Sequence, residues 1–428
     1  MYKRSSLKQK ISQNHKLLKS ISVLSISVIF LGCASEVSRT PAPIINNEIS
    51  KESTNVNKKK LPKTSESALS PIWSKKGKLL KKKFSEIDGW FEDDFSNVWN
   101  AWKQNCLAMK KRNMTFKRIC LESEISEPKT TFEKKQFFER HFHPFKILAP
   151  LNTITGYYEP VLRGSLTPSE KYSYPLYRRP DDLVIKRIRD KKTGNLKVFH
   201  SQVIKSNKGE KLVPYPARKL LLESKQLNGY EIAYLENPID AFFLQIQGSG
   251  TILLPDKSVM RLGFSASNGH PYRSIGTWLI KKKYLSKSSA SMQNIKKWVR
   301  ENPSRENELL NQNPRVIFFK DLSKSVDLKS GPIGSLGVSL TPGRSIAVDT
   351  DFVSLGLPLF LSTKIPGRNK LSVKNEKRLV FAQDTGSAIK GPNRGDFFFG
   401  SGKKAGEQAG RMKYPGQMII LVPKNNRQ

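Results

Sequence analysis

From about residue 149 onward the chain is written in short runs of β-branched and aromatic residues, each stopped by Gly, Pro or Asn, and no other feature restricts the fold as much. The runs fall at 153–159, 183–188, 197–204, 241–247, 252–254, 259–264, 315–319, 346–348, 358–361, 379–383, 396–399 and 418–422. Runs of this length, broken by turn residues, predict a mainly β and barrel-like body. Helices over about 274–282 and 288–301 interrupt it. Upstream, Trp90, Phe91, Phe95, Val98, Trp99, Trp102, Leu107 and Met109 recur at roughly helical spacing, with Asp93 and Asp94 near the start, which predicts one or two packed helices. No internal repeat is visible.

A length of 428 residues accommodates two or three domains, and 37% hydrophobic with 26% charged residues excludes wholesale disorder. The 75 Lys+Arg against 36 Asp+Glu give a net charge of +39, which calls for an anionic neighbour: nucleic acid, a phosphate-rich membrane surface or an acidic polymer. The N-terminus narrows that choice. Residues 1–19 carry six Lys/Arg and no acid, and the apolar stretch from Ile21 to Leu31 leads into Gly32-Cys33-Ala34-Ser35. This reads as a secretory signal, because the stretch is short of the ~20 apolar residues that cross a bilayer. Export speaks against a nucleic-acid partner. The Phe30-Leu31-Gly32-Cys33 junction resembles a bacterial lipobox with Phe30 in place of the usual Leu; an ordinary signal peptide with a chance cysteine is the plain alternative. The lipobox reading implies lipidation at Cys33, and Ala34 after it implies an outer-membrane lipoprotein facing the periplasm. Residues 34–71 are Ser, Asn, Thr, Lys and Pro with almost no aromatic residue, as in a solvated tether. Cys106 and Cys120 can form a disulfide in that compartment or stand as buried thiols, and with no His at suitable spacing they do not suggest a metal site.

Three Asp share a setting in the C-terminal third, each beside a β-like run and within a few residues of Gly: Asp349, Asp384 and Asp396. Strand ends in a barrel would bring such acids together, while turn capping explains them equally simply. The motifs around them are more specific. TGYYEP (155–160), AFFLQIQGSG (241–250), GHPYRSIG (269–276), the stretch 337–361 and the stretch 381–416 together resemble the membrane-bound lytic murein transglycosylase A family over about residues 84–423. The C-terminal part resembles that family's three-aspartate domain.

The resemblance implies a double-psi β-barrel with an inserted smaller β-domain and glycan lying in the groove between them. The implied boundaries are helices and the first part of the barrel at 72–160, the insert at 161–240 and the rest of the barrel at 241–428, with the three-aspartate domain at about 337–423. It implies cleavage of the MurNAc–GlcNAc β-1,4 bond of peptidoglycan without water, leaving 1,6-anhydro-MurNAc ends, in cell-wall turnover and remodelling. The catalytic acid falls on Asp396, with Asp384 and Asp349 beside it. The implied partners are glycan strands and the outer membrane, reached through the lipid anchor, with no cofactor and no metal.

The chemistry is consistent with one acid. Glycoside hydrolysis uses two carboxyl groups. If the sugar's own O6 attacks C1, a single carboxyl can protonate the glycosidic oxygen and then take the O6 proton. Asp396 must then begin protonated, which requires burial or a nearby negative charge such as Asp384 or Asp349. Arg394 would oppose this if it lay close, so it is expected to point towards glycan or another acid. Tyr157 and Tyr158 offer stacking faces, and Thr155, Gln247 and Ser249 offer hydrogen bonds. Gly156, Gly248 and Gly250 would let backbone approach a ligand, and Lys390 completes the candidate binding set. Strand alternation turns one of Tyr157 and Tyr158 inward and puts Gln245 and Gln247 on one face, with Phe243 packed beside them.

Other motifs lead elsewhere. Gly400, Gly402 and Gly406 lack the spacing and βαβ context of a nucleotide loop, His141 and His143 near Glu139 lack a third ligand, and no G-x-S-x-G elbow occurs. The competing reading is a lipid-anchored protein that holds peptidoglycan or envelope polymers without cutting them.

Overall fold

The computed structural model describes residues 74–424 except 75, 190–195, 207–208, 288, 326, 328–329, 368 and 370–371; the signal, Cys33 and most of the tether lie outside the described residues. Six strands close into a barrel in the spatial order Lys413–Pro423, Pro358–Pro366, Val373–Asp384, Ser345–Val348, Gly395–Ser401 and Asn152–Glu159, the last pairing back onto the first. Two contacts in the ring are parallel, Ser345–Val348 with Val373–Asp384 and Gly395–Ser401 with Asn152–Glu159. Strands Phe142–Leu148 and Lys78–Lys81 extend the sheet beyond Lys413–Pro423. The mainly β architecture, the barrel and the N-terminal helices implied by the resemblance are present.

Three helices, Val98–Arg112, Met114–Ile125 and Thr131–His141, pack on the barrel. Trp102 is fully buried among Phe116, Phe137, Phe138, Phe142 and Phe381, so helices and barrel share one aromatic core. Asp93 precedes the first helix and receives a two-pronged ion pair from buried Arg344, at 2.8 Å on each oxygen, which pins the turn to the barrel. A disulfide joins Cys106 to Cys120 across the first two helices.

The chain leaves the barrel after Glu159 and builds a second, six-stranded sheet in the order Ile317–Asp321, Val259–Ser267, Gly250–Leu253, Val161–Ser165, Glu231–Leu235 and Tyr174–Tyr177. Gly250–Leu253 pairs in parallel with Val161–Ser165, so the two segments belong to one body. The insert therefore runs to about Asp321, and residues 241–321, expected in the barrel, are part of it. Its helices Pro238–Gln247, Ile275–Lys281 and Met292–Glu301 bury Ile239, Phe242, Phe243, Leu279 and Trp298 in a core of their own. A third sheet of three strands, Val184–Arg189, Leu196–Ser206 and Gly209–Pro214, completes the insert.

The run 241–247, expected as a strand, is helix. Its Phe and Ile content suits a strand, but the ends decide: Pro238 occupies the first turn, the Asn237 side chain accepts the Asp240 N–H, and Gly248 closes the helix at φ +81°. The strand-face pairing of Gln245 with Gln247 is accordingly absent. Gln245 instead accepts from Arg218 at 2.7 Å.

Candidate active site

The site is organised by the strand Asn152–Glu159, whose side chains alternate between two faces. On one face Ile154 is fully buried in the core, Gly156 lies against Phe399 and Ala409, and Tyr158 packs on Gly406 of the helix Gly402–Ala409. On the other, the Thr155 hydroxyl donates to Asp396 Oδ1 at 2.6 Å and the Tyr157 hydroxyl donates to Asp384 Oδ2 at 3.1 Å. Glu159 continues that face at the crossing into the insert. It is fully buried and accepts from Arg261 at 3.0 Å and Ser401 at 2.6 Å.

The backbone register explains why the two aspartates meet this strand. Asp396 stands opposite Thr155 on one neighbour and opposite Ala347 on the other, and Ala347 in turn stands opposite Asp384. One row across the barrel thus reads Thr155, Asp396, Ala347, Asp384, with the two acids two strands apart, roughly 10 Å between backbones. A methyl group is all that separates them along the row.

Their surroundings differ. Asp384 is surrounded by donors: the Ser335 N–H, the Ser335 hydroxyl and the Thr385 N–H all give to Oδ1, and Tyr157 gives to Oδ2. Loss of hydration raises its carboxyl above the ordinary range, and those four hydrogen bonds work against that rise by favouring the carboxylate. Asp396 has Thr155 as its one side-chain hydrogen-bond donor, and Oδ2 has no partner among the described residues. Loss of hydration, with the negative Asp384 adding to it, raises its carboxyl to about 6 against the Thr155 hydrogen bond and the positive Arg394. Burial and both carboxylates hold the Tyr157 phenol well above its usual value, so it remains a donor.

Arg394 makes no hydrogen bond to an acid among the described residues. Its guanidinium donates to the Thr153 carbonyl and to Thr155 Oγ1, both at 3.0 Å, and to the Gly395 carbonyl. A threonine hydroxyl has a single proton. With Arg394 donating into its oxygen, that proton goes to Asp396.

Asp384 and Asp396 both line a cavity of about 560 Å³ between barrel and insert. Across it stand Gln247, Gly248 and Ser249 at the end of the helix Pro238–Gln247, with Lys320 from the insert sheet and Arg315 from the segment just before its strand Ile317–Asp321. Gln247 also accepts the Tyr158 N–H at 3.2 Å, tying this wall to the central strand. Asp349 is elsewhere: it accepts N–H groups from Gly391 and Asp351 and pairs with exposed Lys390 at 3.7 Å, so it caps a turn and holds the neighbouring loop. Gly156 and Gly250 meet protein, since a Cβ on Gly156 would lie 2.5 Å from the Phe399 ring and one on Gly250 2.2 Å from Leu244. Tyr158 also faces away from the cavity. Ser335 and the Arg261–Glu159 pair escaped notice in the sequence. Ser335 lies in a loop with Gly331, Gly334 and Gly337, a cue for close backbone approach.

Gly400 and Gly402 take φ of +104° and +84° at the turn from strand to helix, and Gly406 makes room for Tyr158, which accounts for that glycine series. His141 pairs with Glu122 at 3.0 Å, and Glu139 accepts from Trp90.

Two family models match the chain, the MltA specific insert domain over residues 153–320 and the 3D domain over residues 344–422. The membrane-bound lytic murein transglycosylase A of Escherichia coli K12 is 32% identical over 271 residues, 62% of this chain and 64% of that protein. The chain thus spans slightly under two thirds of that relative's length. Among solved structures, MltA from Neisseria gonorrhoeae is 32% identical, covering 82% of this chain and 93% of its own, with a TM-score of 0.68. The lytic transglycosylase LtgG of Burkholderia pseudomallei is 39% identical, covering 81% and 96%, with a TM-score of 0.53. On that similarity and the barrel-plus-insert architecture, the chain belongs to the membrane-bound lytic murein transglycosylase A family.

Proposed function

We propose that this protein is a lytic transglycosylase that cleaves the MurNAc–GlcNAc β-1,4 bond of peptidoglycan, with Asp396 as general acid and then base. One observation carries this reading: in a groove between two domains, a carboxyl raised to about 6 has one oxygen held by Thr155 and the other without a partner among the described residues, beside a second carboxyl that receives four hydrogen bonds. Environments that separate the acidities of neighbouring carboxyls mark acid and base assignments.

Thr155 can only donate to Oδ1, so the acid proton resides on Oδ2. From there it passes to the glycosidic oxygen as the C1–O bond breaks. The MurNAc O6 hydroxyl then attacks C1, its proton returns to Asp396, and the ring closes as 1,6-anhydro-MurNAc with no water consumed. The Asp384 carboxylate favours both the protonated ground state and the positive charge developing at C1. Gln247 and Ser249 supply hydrogen bonds on the opposite wall, and Arg315 and Lys320 suit carboxylates of the peptide stems. Tyr157 acts as a clamp on Asp384. Lipidation at Cys33, followed by Ala34, would place the enzyme at the outer membrane; the relatives' name says "membrane-bound" without naming the membrane.

The test is mass spectrometry of products released from purified peptidoglycan by residues 64–428 and by the Asp396→Asn variant. Anhydro-ended muropeptides from the parent alone are expected. Reducing ends would make water the acceptor and require a second catalytic carboxyl. Bound glycan with no product would favour the binding-protein reading.

A further inference from the structure

The three-stranded sheet formed by Val184–Arg189, Leu196–Ser206 and Gly209–Pro214 is unlike the rest of the molecule. A sheet normally buries at least one apolar face. Here six large apolar side chains are exposed within a few strand lengths: Ile188 and Phe199 at 52% and 47%, with Val198, Val203, Ile204 and Leu212 at 40% or more.

The register sorts them by face. Lys186 stands opposite Phe199, Ile188 opposite Lys197, and Val203 opposite Leu212, which puts four apolar groups and two lysines on one side. Val198 and Ile204 lie on the reverse, paired with Arg187 and Lys211. Among the described residues of the sheet six are basic (Lys186, Arg187, Arg189, Lys197, Lys205 and Lys211) and one, Glu210, is acidic; all seven are exposed. A concavity of about 610 Å³ opens where Ile188, Phe199 and Leu212 face the loop at Asn268–Pro271.

Lysines on edge strands guard against pairing with other sheets, and that accounts for the charge. It does not account for six exposed apolar groups interleaved with it. Glycan strands and peptide stems would answer the charge and leave the apolar groups uncovered. The headgroup layer of an anionic bilayer answers both, because apolar side chains enter the acyl boundary while Lys and Arg meet phosphates.

We propose that this sheet docks the protein on an anionic phospholipid surface, as a contact separate from the groove and from any lipid anchor.

The test uses residues 64–428, which form one compact unit and lack the apolar leader. They are sedimented with vesicles of phosphatidylglycerol and phosphatidylcholine and with vesicles of phosphatidylcholine alone. A strongly basic protein is drawn to any anionic vesicle, so the informative variant is Ile188→Ser/Phe199→Ser/Leu212→Ser, which keeps every charge. The expected result is at least tenfold weaker partitioning of this variant, with an unfolding temperature within a few degrees of the parent. Independently, Phe199→Trp should gain fluorescence that brominated acyl chains quench, beyond the quenching of the parent's own tryptophans. Equal partitioning of parent and triple variant, or an unquenched Trp at 199, would overturn the proposal. So would a triple variant that still binds vesicles but no longer stays on purified murein, since the partner would then be the polymer. Neither vesicle readout depends on glycan cleavage, so it stands or falls apart from the proposed enzymatic activity.

Discussion

The end of the strand Val373–Asp384 and the start of Gly395–Ser401 each present an aspartate to one groove, in one row of one barrel, yet the two are supplied very differently with hydrogen-bond donors. Four donors converge on Asp384, two of them backbone N–H groups that can do nothing but donate. Among the described residues, one donor reaches Asp396. Loss of hydration raises both carboxyls, so the number of donors, more than burial, is what distinguishes their surroundings, and the donors favour the charged form of Asp384. Single-carboxyl catalysis needs that difference, because the proton must stay on one group while the other stays charged.

The sharpest way to break this comparison is to make the same substitution at both positions. Asp396→Asn should lower turnover by about 10³-fold or more, since it removes the group proposed to give and take the proton. It should also stabilise the protein at neutral pH. The folded carboxyl titrates at about 6 against ~3.9 unfolded, so its favourable contribution is complete below about pH 4 and lost as pH rises through 6. Holding the ion at pH 7.5 then costs roughly 2–3 kcal/mol, part of which Asn relieves. Denaturant midpoints should be higher for the variant at pH 7.5 and equal to the parent near pH 4. A lower midpoint at pH 7.5 would mean Asp396 is held as an ion.

Asp384→Asn should do the reverse. Its amide presents N–H to groups that are themselves donors, so unfolding should come about 1–3 kcal/mol earlier. Turnover should fall about 10–100-fold. Removing the negative charge makes Asp396 easier to ionise and lowers its pKa, so the limb on which activity declines with rising pH moves down. A variant with an unshifted limb would show that the two carboxyls do not sense each other.

Thr155→Val removes the donor to Oδ1 at constant shape. Asp396 then becomes harder to ionise and its proton can settle on either oxygen, so kcat should drop about 10-fold with KM little changed and the alkaline limb moved up. Thr155→Ser should restore both. If Ser fails to rescue, the methyl group rather than the hydroxyl is what matters.

Much of this arrangement was legible in the sequence, for reasons that can be named. Strand alternation separated Tyr157 from Tyr158, and the Asp-Gly settings flagged all three acids. What escaped was non-local. That Asp349 caps a turn while Asp384 and Asp396 share a row follows from register with Ala347, which single-sequence spacing does not encode. The helix Pro238–Gln247 was obscured by its Phe and Ile content, which outweighed the cap signals at Asn237 and Gly248. The boundary at 240 failed because residues 250–253 return to pair with 161–165 across some 90 positions.

Arg394 gives the smallest effect and the finest distinction. It touches neither carboxyl directly, and it acts on Asp396 in two ways: its charge favours the ion, and its hydrogen bond to Thr155 commits the threonine proton to Oδ1. Arg394→Gln removes the charge but leaves an amide N–H able to serve Thr155, so the alkaline limb should move up by a few tenths to one pH unit while the maximal rate falls only a few-fold. Arg394→Lys keeps the charge and loses the planar fork that spans Thr153 and Thr155, so the limb should stay and the rate should fall. The pair separates acidity from proton placement, and equal pH profiles in both variants would show that Arg394 serves only to hold the two strands together.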